Sequence, residues 1–212
     1  MKARHPVVGI VLAGGKSSRM GGGDKCLLPL AGRPILAHVV ERLKPQVAEL
    51  IISANGDPAR FSAFGLPVVE DRLGNHAGPL AGILAGLEWA RINRPESRFV
   101  VTAASDTPFL PADLADRLWS AIGEGGPDLA VARSADGMHP VFGLWAVALA
   151  PDLEASLMSG DRKVSDLVRQ HQAKEVMFPA MKIRSRIIDP FFNVNRPDEL
   201  DAAEAFLRTS AV

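Results

Sequence analysis

Residues 7 to 25 read Val7-Val8-Gly9-Ile10-Val11-Leu12-Ala13-Gly14-Gly15-Lys16-Ser17-Ser18-Arg19-Met20-Gly21-Gly22-Gly23-Asp24-Lys25. The run from Val7 to Ala13 is apolar without alternation and largely β-branched, which is the pattern of a strand covered on both faces in a parallel sheet. The loop after it would lie at the strand's carboxyl end, where open α/β sheets bind ligands. Glycines let backbone N–H groups approach phosphate oxygens closely, and Lys16, Arg19 and Lys25 can neutralise several negative charges. This is a phosphate site in outline, and a nucleoside triphosphate needs both features.

Two commoner templates fail on the same residues. A Walker A loop requires a glycine five residues before Gly15, where the chain has Ile10. A dinucleotide fingerprint requires a third glycine where Cys26 follows Gly21 and Gly23.

Outward from this loop, apolar strand-like runs alternate with helix-like stretches, which predicts one α/β domain with a doubly wound sheet. Pro34 opens a helical pattern through about Gln46. Strands are expected at Glu49–Ala54, Leu66–Val69, Arg98–Ala104, Leu129–Arg133 and Pro140–Ala148, with a helix rich in small residues from Pro79 to Ala90. A helix is expected after Pro111. Beyond Pro151 the pattern predicts two short helices, strands near Lys174–Phe178 and Arg184–Ile188, and a last helix from Pro197 to about Leu207.

The 212 residues suffice for a substantial core. With 24 basic and 24 acidic side chains the formal net charge is zero, which gives no sign of a nucleic-acid or membrane-surface partner. Cys26 is the single cysteine, so an intrachain disulfide and a CxxC metal site are both excluded. A small buried residue is the expected role for it. The start of the chain carries no signal-length apolar stretch, and the cytoplasm is the default setting.

Phosphates attract hard cations, and Mg2+ takes one or two carboxylates together with phosphate oxygens and water. Asp106 is the candidate ligand, because it directly follows an apolar strand and Pro108 turns the backbone away from helix; initiating that turn or capping the next helix is the other role open to it. Asp71, at the end of another strand, either hydrogen-bonds a ribose or base, supports the metal indirectly, or makes an ordinary turn. Asn55 offers both a donor and an acceptor suited to a base or sugar, although Asn55-Gly56 is also a turn pair. The five histidines, His5, His38, His76, His139 and His171, have no metal-site spacing. Neither a GxSxG motif nor a tyrosine is present. Arg19 and Lys25 suit the stabilisation of charge on a phosphorus centre and on departing pyrophosphate.

The segment Leu12-Ala13-Gly14-Gly15-x-x-x-Arg19-Met20-Gly21-Gly22-x-Asp24-Lys25 resembles the signature loop of bacterial molybdenum cofactor guanylyltransferases. Later motifs follow in the family's order: Glu70-Asp71, Gly78-Pro79-Leu80-Ala81-Gly82, Ser105-Asp106-Thr107-Pro108-Phe109, His139-Pro140, and Phe192-Asn193-Val194-Asn195-x-Pro197-x-Glu199-Leu200. Arg196 departs from the threonine often found there.

The resemblance implies a single-domain, Rossmann-like, mainly parallel sheet with helices on both faces. Residues from about 6 to 110 would mainly bind nucleotide, and the rest would contribute the pterin side. The implied reaction is transfer of GMP from GTP to the molybdopterin cofactor, with Mg2+ and release of pyrophosphate. By motif matching, Leu12, Ala13, Gly14, Gly15, Lys25, Asn55, Asp71 and Asp106 would contact nucleotide. Asp106 would also hold the metal, Arg19, Lys25 and Asp106 would be catalytic, and Gly82, Asn193 and Asn195 would face the pterin. Passing contact with molybdoenzymes or their chaperones is compatible with this. The competing readings are a cytidylyl- or sugar-phosphate nucleotidyltransferase and a non-catalytic carrier of the pterin cofactor.

Overall fold

The computed structural model describes residues 5–14, 24–71, 78–123, 125–183 and 186–207. Gly15, Lys16, Arg19 and the glycines at 21 to 23 therefore lie outside the described residues, as does His76. The chain runs β1 (His5–Leu12), β2 (Pro29–Leu30), β3 (Arg33–Pro34), α1 (Ile35–Leu43), β4 (Val47–Ser53), β5 (Val68–Val69), α2 (Pro79–Asn93) and β6 (Phe99–Ala104). It continues through α3 (Leu114–Ile122), β7 (Leu129–Ser134), β8 (Gly137–Ala146), α4 (Ala150–Met158), α5 (Val164–Gln170), β9 (Lys174–Met177), β10 (Met181–Ile183), β11 (Arg186–Ile188) and α6 (Pro197–Leu207).

Among the described residues, seven strands form one sheet in the order β5-β4-β1-β6-β8-β7-β9. The unalternating apolar run that identified β1 has its physical cause here. Strands β4 and β6 flank it in parallel register, and Val7, Val8, Ile10 and Val11 are fully buried. Val7 and Val11 pack with Leu36 and Val39 of α1 and with Leu114 and Leu118 of α3 on one face. Val8 and Ile10 pack with Leu80, Ile83 and Leu87 of α2 and with Leu153 and Leu167 on the other. The sheet is thus doubly wound, with helices on both faces.

Glycines allow α2 to approach this closely. A Cβ at Gly86 would stand 1.6 Å from Ile10 Cδ1, and one at Gly82 would stand 2.9 Å from Ser53 Oγ and 3.0 Å from Leu12 Cδ2.

The sheet departs from all-parallel at β8, which is antiparallel to both β6 and β7, while β9 returns parallel to β7. The β6–β8 ladder stops at the pair Val101–Leu144. There the buried Thr102 hydroxyl takes over, donating to the Val141 carbonyl at 2.6 Å and accepting from Trp145 Nε1 at 3.0 Å. Buried polar groups are therefore satisfied where strand pairing ends.

Most boundaries fall within a few residues of expectation. Three features differ. Pro34 precedes its helix and pairs with Pro29 in a small hairpin turned by Ala31 and Gly32, both at positive φ. Helix α2 continues to Asn93. Of the strand expected near Arg184–Ile188, Arg184 lies outside the described residues and Arg186–Ile188 pair antiparallel with β10, which carries no distinct apolar signal.

Candidate active site

From β1 the chain first builds outward through α1 to β4 and β5, then crosses through α2 to β6 on β1's other side. The crevice at the carboxyl ends of β1 and β6 is therefore the point where winding reverses, the usual ligand position in such sheets. Leu12 and Ala13 stand on one side of it and Ser105 and Asp106 on the other. The Ser105 N–H donates to the Leu12 carbonyl at 3.2 Å, and the Ala13 N–H donates to the Ser53 carbonyl at 2.8 Å. Gly14 is exposed just beyond, with open space where a Cβ would be.

Lys25, at the start of a short 3₁₀ turn (Lys25–Leu27), reaches across this crevice. Its ammonium donates to Asp106 Oδ2 in a very short ion pair and to Asn195 Oδ1 at 2.6 Å. The Lys25 and Asp106 side chains are each 16% exposed, so the pair is largely withdrawn from water yet open on one side. Asp106 is no helix cap, because α3 begins at Leu114 behind Asp113.

The segment around Asn193 and Asn195 is stitched to the end of β6. The Val194 N–H donates to the Asp106 carbonyl at 2.9 Å, and the Thr107 hydroxyl donates to Asn193 Oδ1 in a very short bond. Glu199 holds the same segment from the first turn of α6, its Oε2 accepting from the N–H groups of Asn195 at 2.5 Å and Arg196 at 3.0 Å. That arrangement satisfies two donors a helix start leaves unpaired. Arg196, the departure from the family pattern, takes part through its backbone N–H.

A second pair forms at the ends of β4 and β5. Asn55 Nδ2 donates to Asp71 Oδ2 at 2.6 Å, while the Asp71 N–H donates to Asn55 Oδ1 at 3.0 Å. Asp71 Oδ1 is buried and has no hydrogen-bond partner among the described residues. An orphaned carboxylate oxygen is costly in a folded protein unless a ligand donor completes it.

Gly82, expected on the pterin side, is buried within α2 against Leu12 and Ser53. Its local role is close helix–strand approach at the floor of the crevice. Cys26 is buried as expected. Burial and the nearby Asp24 push its thiol up to about 11, so no thiolate is available beside the loop. His139 hydrogen-bonds Ser134 Oγ at 2.7 Å and packs against Phe191 at a tilt of 33°, 4.5 Å between ring centres. A 270 Å³ cavity lined by Arg91, Ser97, Arg98 and Asp128 lies at the opposite, amino-terminal end of β6 and gathers none of these residues.

Thr107 and Glu199 lie inside family motifs whose sequence assigns them no role, and Arg60 lies outside every motif. Glu199 had a legible signal, since Pro197 and an acidic residue two positions on mark a helix start. For Arg60 no local pattern existed.

A doubly wound sheet with a cation–carboxylate pair at its switch point and a glycine-rich sequence leading into that cation defines an enzyme of the nucleotide-handling α/β class. Residues 9–176 match the family described as the MobA-like NTP transferase domain. A Mesorhizobium japonicum protein named molybdenum cofactor guanylyltransferase is 50% identical over 207 residues, covering 97% of this chain and 98% of its own. A Bradyrhizobium protein of the same name is 48% identical over 199 residues, 93% of this chain and 92% of its own. The crystal structure of molybdopterin-guanine dinucleotide biosynthesis protein A from Archaeoglobus fulgidus superposes with a TM-score of 0.69 at 26% identity, over 94% of this chain and 97% of that one. The chain belongs to the MobA-like NTP transferase family and is a nucleotidyltransferase. Among the described residues no helix is long and apolar enough to cross a membrane.

Proposed function

We propose that this chain transfers GMP from GTP to the terminal phosphate of the molybdenum cofactor and releases pyrophosphate. What supports the activity is near-complete alignment, at about half identity, with proteins named for that transfer. The observation that carries the site is the Lys25–Asp106–Asn195 cluster at the switch point.

In this reading the acceptor's phosphate oxygen forms a bond to the α-phosphorus of GTP while the bond from that phosphorus to the β-phosphate's bridging oxygen breaks. A phosphate monoester dianion is already nucleophilic, so no strong base is needed, and positioning and charge stabilisation dominate. Lys25 moves its ammonium from Asp106 to the phosphates. The backbone from Leu12 through Gly14 lies along them, and Gly15, outside the described residues, is assigned to them on its sequence position. Asp71 Oδ1 accepts from a hydroxyl or N–H of the nucleoside, with Asn55 fixing that carboxylate. Asn193 and Asn195 face the pterin acceptor, with Gly82 at the crevice floor. Arg19, also outside the described residues, is assigned to the departing pyrophosphate on its sequence position.

Mg2+ fits these residues. Asp106 Oδ2 and Asn195 Oδ1 are hard oxygen donors that already converge on one cation, the Lys25 ammonium. The metal would be held by Asp106 and would supply charge neutralisation of the triphosphate. No described cluster of three or more His, Cys, Asp or Glu side chains competes for it. The setting we assign is cytoplasmic, with transfer of the product to molybdoenzymes or their chaperones, which a pull-down with a molybdoenzyme tests.

The activity is tested by pyrophosphate release from GTP, CTP, ATP and UTP in the presence of Mg2+ and molybdenum cofactor. Release with GTP well above the others is expected. Release with CTP but not GTP would reassign the chain to cytidylyl transfer, and binding of the pterin without release from any nucleotide would make it a carrier.

A further inference from the structure

Arg60 lies in the 3₁₀ helix Pro58–Phe64, outside every motif the family resemblance rests on. Its guanidinium nevertheless meets both halves of the candidate site. Arg60 Nε stands 2.7 Å from Asp24 Oδ2, the residue immediately before Lys25, as a charge contact lacking hydrogen-bond alignment. One terminal nitrogen donates to the Asn55 carbonyl at 2.6 Å, and the other donates to the Asp57 carbonyl at 2.6 Å. The guanidinium also stands 4.6 Å from the Phe61 ring centre, and a Cβ at Gly56 would lie 3.4 Å from its Nη1.

A planar fork with several fixed donors holds acceptors on two chain segments at a set spacing, which a flexible ammonium does less rigidly. The Arg60 side chain is 23% exposed and that of Asp24 26%, so the contact is partly shielded from water and salt. Asn55 is in turn bonded at both ends of its amide to Asp71. The chain of contacts therefore runs from Lys25's neighbour, through Arg60, to the Asn55–Asp71 pair.

We propose that Arg60 is a positioning residue that ties the phosphate-side lysine to the nucleoside-side pair, so that the two parts of a nucleotide are gripped cooperatively. This rests on the function proposed above. Two subsites held at fixed spacing bind a joined ligand far better than its separate halves, and loosening the spacing removes that advantage while leaving each half-site working.

The experiment is titration calorimetry of GTP, guanosine and inorganic tripolyphosphate against the wild type, Arg60→Ala, Arg60→Lys, Asp24→Asn and the Asp24→Asn/Arg60→Ala double variant. GTP affinity should fall about tenfold in Arg60→Ala, the size of an ordinary site-to-site coupling. Guanosine and tripolyphosphate should each stay within about threefold, since the half-sites survive. Asp24→Asn should reproduce the loss, and the double variant should be no worse than Arg60→Ala, because both remove one contact. A GTP loss that matches the loss of a single fragment, or single-variant losses that add, overturns the proposal. Arg60→Lys and Asp24→Asn read the same contacts if Arg60→Ala fails to fold.

A wild type that binds no GTP would sink the function proposed above rather than this tie. The tie is then read without ligand, by amide exchange at Leu27, whose N–H donates to the Asp24 carbonyl at 2.9 Å. Faster exchange there in Arg60→Lys supports it, and unchanged exchange overturns it.

Discussion

Lys25 and Asp106, 81 residues apart in the chain, meet as an ion pair between the loop that follows β1 and the end of β6. The pair spans the crevice where the sheet reverses its winding, the place at which the proposed function puts the triphosphate. Both charges are largely withdrawn from water but open on one side, which leaves the carboxylate room to exchange one cation for another.

Asp106→Asn should therefore reduce GMP transfer by about a thousandfold or more while the far-ultraviolet spectrum and melting temperature stay near wild type. The amide keeps the side chain's shape and loses only its charge. Pyrophosphate release in Mg2+ is the readout, and near-normal turnover would remove Asp106 from the mechanism.

Lys25→Ala should lower kcat/KM for GTP by about a hundredfold, the scale for loss of one fixed charge at a reacting phosphate. The acceptor's KM should change much less. Steady-state kinetics with each substrate varied separates the two, and an unchanged rate would assign this lysine to structure.

Asp71→Ala should raise the KM for GTP and leave that for the acceptor unaltered, because Asp71 and Asn55 form their own pair at the ends of β4 and β5. It should also cost about 1–3 kcal/mol of stability, since Asn55 Nδ2 is left without its carboxylate. Chemical denaturation measures that cost beside the kinetics.

Gly86→Ala tests the packing that positions the crevice. The added methyl group would overlap Ile10 Cδ1, and overpacking of this kind costs about 1–3 kcal/mol. Ile10→Val, which deletes that carbon, should recover part of the loss in the double variant. Additive losses in denaturant melts would show that the two residues do not compete for the same space.

Burial lowers the affinity of the His139 imidazole for a proton, against the opposing pull of Asp189 and Asp136. A histidine whose folded-state pKa is depressed favours the neutral form. Its contribution to stability is complete above its ordinary value of about 6.5 and is lost as pH falls below that toward the depressed value. Melting temperatures measured from about pH 7.5 to 5.5 should fall more steeply for wild type than for His139→Gln. Parallel curves would contradict this.

Much of this architecture could be read from residue patterns because its causes are local. The β1 run is apolar on both faces because helices cover both, and the acids and amides after β4, β5 and β6 stand where each strand leaves the sheet. Asp106, Asn55 and Asp71 were legible for that reason. The pairing of Lys25 with Asn195 was not, since 170 residues separate them and only the docking of the last segment onto the Asp106 carbonyl brings them together. The reversal of β8 was equally silent, because an interior antiparallel strand carries the same apolar residues as a parallel one. For Gly82 the structure adds a packing role that the motif position does not reveal, the close approach of α2 to Leu12 and Ser53. Arg60 reaches its partners from a short turn with no periodicity, so only assembled coordinates reveal it.

The most direct test of the account is a crystal structure of the chain with GTP and Mg2+. The triphosphate is expected along Gly14 and Lys25, a metal on an Asp106 carboxylate oxygen, and the guanosine against the Asn55–Asp71 pair. A guanosine bound elsewhere, or an Asp106 side chain turned away from every cation, would contradict it.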